Sequence, residues 1–448
     1  MIRHMVAPFY LFACLLLGGA SAAGLAANML LQLTAIPLIG WALWRLFQEG
    51  AAPQVRTPTL LMGLLVAIAL VQLIPLPPAV WTLLPGRDSV AQGYRLVDLP
   101  LPWLPTTLAP QQTVAGILWL LPAFAMLLLV VALGAFRGRW IAAAILTVTL
   151  VSVALGAVQV LGGSGAYFYE KTSYGAGVGF FANPNHNATL ILTCIPFLAA
   201  LQLTLLKRAS SRSASAIRLL VVAAYAVILV GVLINGSLAG IGLAVPVTLG
   251  TWLIFGQQRP ALRRGMLIGT PLASIAALFI IVVGPFGNNL FGEQKLNVEG
   301  SRQRVFAVSW RAAGEYFPIG SGTGSFQPVY RTMEPLSDVT TTYRNHVHND
   351  WLELLLETGV AAIVFAILFL LWWVSRVRAI WNAEEPDRFA QAAVLATATI
   401  MLHSLVDYPL RTAALSAVFA ACLGLMSGVR PYVRPTAKAP GGARHISI

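Results

Sequence analysis

Residues 344–350 read RNHVHND and place two imidazoles beside asparagine and aspartate at the start of an apolar stretch. Histidine titrates near neutral pH, so His346 and His348 are candidates for a general base that takes a proton from a substrate hydroxyl. Two further polar runs, FANPNHNA (181–188) and HSLVDYPLR (403–411), also lie at the ends of apolar stretches. If the fold brings these runs together, they form a site able to move protons.

A fourth polar run, SRQRVFAVSWRAAGEYFPIGSGTGSF (301–326), adds cations and glycines. Arginine binds a phosphate group through two parallel hydrogen bonds, so Arg302, Arg304 and Arg311 are candidate phosphate ligands. The small residues of GSGTGSF would let backbone N–H groups approach the same anion. Alternatively, the arginines lie on an amphipathic helix at the membrane surface and contact lipid headgroups. No lysine follows the glycines, so the run is not a nucleotide-binding P-loop.

The elements that must position these runs follow from composition. The 448 residues are 58% hydrophobic and 10% charged, with a mean hydropathy of +0.77. Apolar runs of about twenty residues match the thickness of a bilayer, in which helices satisfy their own backbone groups. We therefore predict an all-α polytopic membrane protein. The three cysteines lie in apolar runs and have neither metal-binding nor disulfide spacing.

The apolar runs predict about twelve transmembrane helices. Their approximate ranges are 5–23, 28–47, 58–75, 112–135, 140–162, 185–206, 217–235, 238–256, 265–286, 351–374, 389–407 and 411–428. The first run ends in GGASAAG and resembles a signal peptide, but its apolar stretch is long, so we retain it as a span. Cleavage there would leave the orientation of the other spans unchanged.

The basic residues orient these spans. Nineteen of the 29 Lys and Arg residues fall in one set of alternate connections, which holds four acids. The positive-inside rule places this set, and with it both termini, in the cytoplasm. The excess positive charge is thus explained without nucleic acid, for which a basic stripe with interleaved aromatic residues is missing. All four polar runs then lie on the opposite, periplasmic face.

The predicted spans divide the chain into four parts. Residues 1–286 carry spans one to nine, and residues 287–350 form a large periplasmic loop between spans nine and ten. Residues 351–428 carry spans ten to twelve, and the Pro/Gly-rich residues 429–448 are a disordered cytoplasmic tail. Long loops without their own strand pattern are usually functional, so the site is expected at the periplasmic loop.

Several of the polar residues also have a structural interpretation. His186 follows asparagine and proline residues and fits a helix-capping turn. His403 and Asp407 are four residues apart, so they would share a helix face as a structural or a functional pair. Arg411 would either pair with Asp407 or anchor a helix at the membrane interface.

The acids and histidines around residue 350 leave similar alternatives. Asp350 and Glu353 fit a capping box, in which neither is a catalyst. His346 and His348 have the H-x-H spacing of metal ligands, but few further ligands lie nearby in the sequence, so no metal is expected. Arginine and histidine at a membrane surface, without a nucleotide motif, suit a donor that already stores energy. A lipid-linked diphosphate sugar is such a donor.

These runs resemble the elements of a known family. HVHNDWLELLLETGVAAIV resembles the AHNDYLELLxELG element of the O-antigen ligase and O-antigen polymerase superfamily, and 301–326 is similar to its R…PLLGxGxGxF element. FANPNHNA resembles its NPNHxA element. HSLVDYPLR resembles the HSLVDFPL element of exopolysaccharide-type and protein-glycosylating members. The four matches span about residues 180–412 in the family order.

The resemblance implies metal-independent, inverting transfer of a glycan from undecaprenyl diphosphate to an acceptor hydroxyl, with no cofactor. His348 matches the family histidine that acts as the general base. Arg302 best matches the family's loop arginine and Arg304 is its close rival, both as diphosphate ligands. The residues expected to support this site are His346, Asn349, His186, Asn185, His403, Asp407 and Arg411.

One element departs from the family pattern. Many members carry an arginine in an SRAG-like element, where this chain reads NGSLAG with Leu238 at the arginine position. The missing phosphate ligand would be replaced by Arg304, Arg311, Arg331 or Arg344, or the donor site differs.

The resemblance leaves the acceptor open. We expect an exopolysaccharide or O-antigen polymerase, because the HSLVDYPLR ending resembles that branch; the alternatives are a ligase that attaches O-antigen to lipid A core and a protein O-oligosaccharyltransferase. The expected partners are the lipid-linked glycan, the acceptor and the lipids of the bacterial inner membrane. A polysaccharide transporter or flippase is the alternative from another class, but the polar residues cluster at one face instead of the membrane midplane.

Overall fold

The computed structural model describes residues 2–22, 24–50, 53–132, 138–256, 302–336, 339 and 343–428. About three quarters of this part of the chain is helical. The predicted ninth span, the predicted cytoplasmic tail and residues 287–301 of the predicted periplasmic loop lie outside the described residues.

The described residues form sixteen α-helices and one two-stranded antiparallel sheet. The helices are α1 (Val6–Leu17), α2 (Ala26–Glu49), α3 (Pro53–Val71), α4 (Pro78–Trp81), α5 (Asp88–Leu96), α6 (Pro110–Ala132), α7 (Gly138–Gly162), α8 (Pro184–Leu206), α9 (Ser211–Asn235), α10 (Leu238–Phe255), α11 (Arg302–Glu315), α12 (Phe326–Met333), α13 (Asp350–Thr358), α14 (Val360–Trp381), α15 (Arg388–His403) and α16 (Ala413–Ser427). Short 3-10 helices cover Ile2–Met5, Ser164–Ala166 and Pro409–Arg411. Strand β1 (Pro75–Leu76) pairs with β2 (Leu104–Pro105) in antiparallel register.

Seven of these helices are long and apolar enough to cross a membrane: α2, α6, α7, α8, α9, α10 and α14. Helices α1 and α16, and Val55–Val71 of α3, are shorter apolar segments. The all-α polytopic membrane class predicted from composition is therefore confirmed. The number of spans and their direction stay predictions.

Helix α8 lies at the centre of the membrane-type core. It packs against α7, α9, α10 and α15, and most of its side chains are buried. Helix α16 packs against α6 and α1 through small residues; a Cβ on Gly424 would lie 2.6 Å from Val130. Because α8 and α15 are held tightly together, the ends of both helices are fixed relative to each other, and these ends carry two of the polar runs.

The predicted tenth span, 351–374, is wrong at its start. Helix α13 ends at Thr358, and the membrane-type helix α14 begins only at Val360. Gly359 between them has a left-handed φ of 57°, and a Cβ there would lie 2.0 Å from the Pro318 carbonyl oxygen. The glycine therefore lets the chain turn against the 318–320 segment, so α13 is a separate helix before the span.

A second, smaller core joins α11, α12 and α13. Val305, Val308 and Ala312 of α11 are buried there beside Leu352 and Leu356 of α13. Arg304 and Arg311 of α11 are exposed, so α11 is amphipathic, as the interfacial interpretation predicted. The small core holds α13 in place at the entrance to α14.

The glycine-rich run does not form the predicted anion cradle. Its backbone N–H groups are occupied inside the protein: Ser321 donates to the Leu356 carbonyl, Gly322 to the Glu357 carbonyl, and Gly324 to Glu357 Oε1. Thr323 N–H donates to Gln72 Oε1 at 2.9 Å. These donors fasten the run to α13 and to the 72–109 connection, so they are not directed at a ligand.

Candidate active site

The carboxylate of Asp407 lies at the centre of the polar cluster and is fully buried. Its Oδ1 lies 3.4 Å from His348 Nδ1 and 3.8 Å from His186 Nε2, and it accepts the Tyr408 N–H at 2.8 Å. Its Oδ2 accepts a hydrogen bond from Asn185 Nδ2. One carboxylate thus joins the NPNH, HVHND and HSLVDYPLR runs, which the sequence separates by up to about 220 residues.

The NPNH run reaches Asp407 because it begins α8. Asn183 is the N-cap and accepts the Asn185 N–H at 2.9 Å, and Pro184 occupies the first helical position, where no N–H is needed. The capping turn predicted here is therefore present, with Asn183 as the cap and His186 on the buried side. Ser237, the N-cap of α10, donates to Asn185 Oδ1 at 2.6 Å. Leu238, which stands at the family's arginine position, directly follows this contact.

The HVHND run is shaped by a strained turn. His348 has a left-handed φ of 61°, which is uncommon outside glycine and is typical of residues that the surrounding structure holds for a function. Asn349 caps α13 by accepting the Leu352 N–H at 3.0 Å, and its Nδ2 donates to the Leu405 carbonyl. The Asp350 N–H donates to the Ser404 carbonyl. The turn is therefore fixed to the chain that follows α15.

The predicted capping box of Asp350 and Glu353 is wrong. The N-cap is Asn349, so neither acid caps the helix. Asp350 and Glu353 instead lie, together with Glu357, around the Arg411 guanidinium. Arg411 Nε lies 3.5 Å from Asp350 Oδ1, and its Nη1 lies 3.5 Å from Glu353 Oε1 and 3.4 Å from Glu357 Oε2. Three carboxylates of one helix thus surround a single guanidinium.

The three carboxyl groups of this cluster have different pKa values. Burial raises the pKa of Asp350 to about 6, although Arg411 and Ser404 act in the opposite direction. Burial and the neighbouring Glu353 charge raise the pKa of Glu357 to about 7. Burial would also raise the pKa of Glu353, but Arg411 and His346 lower it to about 2. Glu353 is therefore ionised throughout the neutral range, whereas Glu357 gains a proton as the pH falls through about 7 and Asp350 as it falls through about 6.

The Tyr408 ring contacts three imidazole rings. The rings of His186, His346 and His348 lie with their centroids 4.8, 4.6 and 4.8 Å from that of Tyr408. Burial raises the pKa of the Tyr408 hydroxyl to about 12, so the phenol is neutral. Tyr408 therefore sets the orientation of all three rings without adding charge to the site.

His403 belongs to the support of the site. Its Nδ1 lies 2.7 Å from Thr189 Oγ1, one turn along α8 from Asn185. The prediction that His403 and Asp407 share a helix face is wrong, because α15 ends at His403 and Asp407 lies in the turn beyond it. The Asp407 N–H still donates to the His403 carbonyl at 2.9 Å, which fixes that turn.

A cavity of about 1380 Å³ opens beside the cluster. Its polar end is lined by His186, His346, Asn345, Tyr408 and Arg411. Its remaining wall is largely apolar and comes from α3, α6, α14 and α16; it includes Leu61, Leu65, Trp119, Ala123, Phe365, Phe369, Trp372, Phe419 and Leu423. Such a cavity can hold a long apolar chain with its polar head beside the imidazoles.

The chain also matches a known protein family over part of its length. Residues 223–367 match the family model described as O-antigen ligase. The match covers about a third of the chain and supports its resemblance to the O-antigen ligase superfamily. The resemblance predicted from the HVHND and GSGTGSF elements is confirmed, since both lie inside the matched residues. No curated protein matches the chain.

The O-antigen ligase match does not extend over the whole site. The NPNH and HSLVDYPLR runs lie outside residues 223–367, and the structure nevertheless joins both to His348 through Asp407. This convergence extends the site of the O-antigen ligase region to α8 and to the turn before α16.

The structure brings most of the predicted site residues together, but not the loop arginines. Arg304 is exposed and is not among the described residues that line the cavity, and the side chain of Arg302 lies outside the described part of the chain. Their role as diphosphate ligands stays a prediction.

Two residues that contact the cluster were not predicted, and a third was given another role. Glu353 was interpreted as part of a capping box, and Glu357 lies in an apolar helical pattern, although their spacing from Asp350 places all three on one helix face. Tyr408 gave no signal, because a tyrosine beside Asp407 is an ordinary interfacial residue.

Proposed function

We propose that the protein is a membrane glycosyltransferase that moves a glycan from undecaprenyl diphosphate to an acceptor hydroxyl. The reaction takes place at the periplasmic face of the bacterial inner membrane and uses no metal or cofactor. The observation that carries this proposal is the His348 imidazole, held in a left-handed turn with its Nδ1 3.4 Å from the buried Asp407 carboxylate. Its ring lies 4.8 Å from that of Tyr408, which lines the cavity with the apolar wall.

The His348–Asp407 geometry suits a general base. The carboxylate beside Nδ1 holds the ring proton on that nitrogen, so Nε2 has the lone pair that accepts the proton of the acceptor hydroxyl. The acceptor oxygen then forms a bond to the anomeric carbon while the bond from that carbon to the diphosphate oxygen breaks. The diphosphate leaves with the bonding electrons, and Asp407 stabilises the imidazolium that forms.

The proposed donor fits the shape and polarity of the cavity. A polyprenyl chain would lie along the apolar wall of α3, α6, α14 and α16, and its diphosphate would lie at the polar end of the cavity. The chain of a membrane lipid can enter such a space only from the bilayer, which agrees with the membrane-type helices that enclose it.

The proposed activity within this class is polymerisation of exopolysaccharide or O-antigen. The HSLVDYPLR run, which resembles that branch, supplies Asp407, Tyr408 and Arg411 to the centre of the site. Ligation of O-antigen to lipid A core is the second candidate, supported by the matched family's description as O-antigen ligase.

Purified protein in detergent, with undecaprenyl-diphosphate glycan and neither added metal nor nucleotide, tests the proposal. A ladder of longer glycans on a gel is the expected result. Transfer that occurs only after lipid A core is added would replace polymerase with ligase. If neither acceptor is extended, the proposed glycosyl transfer is wrong.

The donor diphosphate requires a cation that Leu238 does not supply, and we propose Lys171. Among the described residues that line the cavity, Lys171 and Arg411 are the basic ones, and Arg411 is already surrounded by three carboxylates. Lys171 Nζ lies 5.1 Å from the Tyr343 ring centroid, and the Arg331 guanidinium lies 5.4 Å from the same centroid. Two cations held at one ring create a local positive potential that favours an anion.

Replacing Lys171 with alanine is expected to raise the KM for the lipid-diphosphate donor by about tenfold, because one charge-assisted hydrogen bond to phosphate is lost. The measurement is the initial transfer rate against donor concentration. Lys207→Ala, which removes an exposed lysine at the other end of α8, is the matched control and should leave the KM unchanged. An unchanged donor KM in Lys171→Ala would reject this assignment.

A further inference from the structure

His346 has a better-defined carboxylate partner than the proposed base. Its Nδ1 lies 2.8 Å from Glu353 Oε1, and its ring lines the cavity with 16% of its side chain exposed. It stands two residues before His348, ahead of the HND element that carries the family resemblance, so that resemblance gives it a supporting place but no defined role. Its geometry therefore needs its own explanation.

The partner of His346 is a firmly held anion. Glu353 Oε2 accepts the Val347 N–H at 2.9 Å, and Arg411 Nη1 lies 3.5 Å from Oε1. Although burial acts against ionisation, Arg411 and His346 keep the pKa of this carboxyl at about 2. A carboxylate can only accept hydrogen bonds, so the ring proton of His346 is held on Nδ1. In the neutral ring, Nε2 then carries the lone pair.

The ring of His346 is also fixed in place. It lies 4.6 Å from the Tyr408 ring, which the His348 ring contacts at 4.8 Å from another direction. The two imidazoles thus flank a single aromatic ring, and each has a carboxylate at Nδ1. A glycan carries several hydroxyl groups, so one acceptor can engage both imidazoles.

We infer that His346 positions the acceptor glycan by accepting, at Nε2, a hydrogen bond from a hydroxyl other than the one that His348 deprotonates. A nitrogen lone pair binds a hydroxyl donor and repels the oxygens of a diphosphate, which need donors. The ligand of His346 is therefore a sugar hydroxyl and not the leaving group. This inference rests on the proposed glycosyl transfer and names a residue for its acceptor side.

Two substitutions of His346 test the inference against an acceptor whose concentration is varied. The acceptor is the free repeat-unit oligosaccharide, or lipid A core if wild type uses that, and the lipid-diphosphate glycan is kept saturating. His346→Phe keeps a ring against Tyr408 and removes the lone pair, whereas His346→Gln offers a carboxamide oxygen near the Nε2 position. His4→Phe, a histidine of the N-terminal Ile2–Met5 segment, is the matched control.

His346→Phe is expected to raise the acceptor KM about tenfold, with kcat within about threefold and donor KM unchanged. His346→Gln should recover most of the acceptor affinity. Loss of kcat at an unchanged acceptor KM, or a rise in donor KM alone, would overturn the inference while the glycosyl transfer itself still stood.

If a variant or the wild type shows no turnover, binding of the acceptor can still be measured by thermal stabilisation. The thermal midpoint of wild type in detergent should rise when millimolar oligosaccharide is added, and that of folded His346→Phe should rise much less. Equal stabilisation of both proteins rejects the role of His346. If wild type neither transfers glycan nor is stabilised, the proposed function and this inference both fail.

Discussion

Replacing His348 with alanine is expected to lower the rate of glycan transfer by about 10²–10⁴-fold, the range that a positioned general base contributes. The substitution removes the nitrogen that takes the acceptor proton, and it leaves Asp407 without the imidazolium that it stabilises during transfer. The measurement is kcat in the detergent assay with both substrates saturating.

Two variants separate this effect from misfolding. His348→Asn should be equally inactive, and asparagine tolerates the left-handed φ of 61° at this position. His346→Ala should keep measurable activity at high acceptor concentration, because it loses acceptor affinity and not the base. If His348→Ala transfers glycan at the wild-type rate, or if both histidines matter equally for kcat, the assignment of the base is wrong.

The apolar helices could be predicted from the sequence because hydrophobic length alone determines them. The predicted spans 185–206 and 238–256 correspond to α8 (Pro184–Leu206) and α10 (Leu238–Phe255). In both cases a capping residue stands directly before the apolar run, so local chemistry and burial agree on where the helix begins.

The break before α14 could not be predicted, because its cause is distant in the sequence. Residues 351–374 form a continuous apolar pattern with a single glycine, which a helix tolerates. The turn at Gly359 becomes necessary only because the Pro318 carbonyl lies against it and accepts the Val360 N–H. Consequently, α13 and its three carboxylates are separated from the membrane-type helix.

The convergence of the polar runs could be predicted from orientation, but their pairing could not. Arg411 was expected either to pair with Asp407, the nearest acid in the sequence, or to anchor a helix at the membrane interface. In the structure its guanidinium contacts the acids of α13, more than fifty residues earlier. Likewise, N–H groups of the glycine run donate hydrogen bonds to the side chains of Gln72 and Glu357. Both acceptors are distant in the sequence, so no local pattern predicts them.

Replacing Arg411 with methionine is expected to lower the free energy of unfolding by about 3 kcal/mol or more, because removing one partner of a buried ion group leaves the others uncompensated. Glu353 and Glu357 are each only 1% exposed, and Arg411 is 23% exposed, so solvent cannot replace the guanidinium. The measurement is the thermal or denaturant midpoint in one detergent. Arg378→Met, which removes an exposed arginine near the end of α14, should change the midpoint little.

A double-mutant cycle shows whether the cost comes from the carboxylates. In the Arg411→Met background, Glu353→Gln should restore part of the lost stability, because the amide carries no charge that needs a partner. In the wild-type background, the same Glu353→Gln change should be destabilising, because it weakens the contacts of Arg411 and His346 with the carboxylate. Additive effects of the two substitutions would mean that Arg411 stabilises the protein through packing alone. The opposite signs expected here would instead establish that one guanidinium holds α13, and with it the histidine turn, against the start of α16.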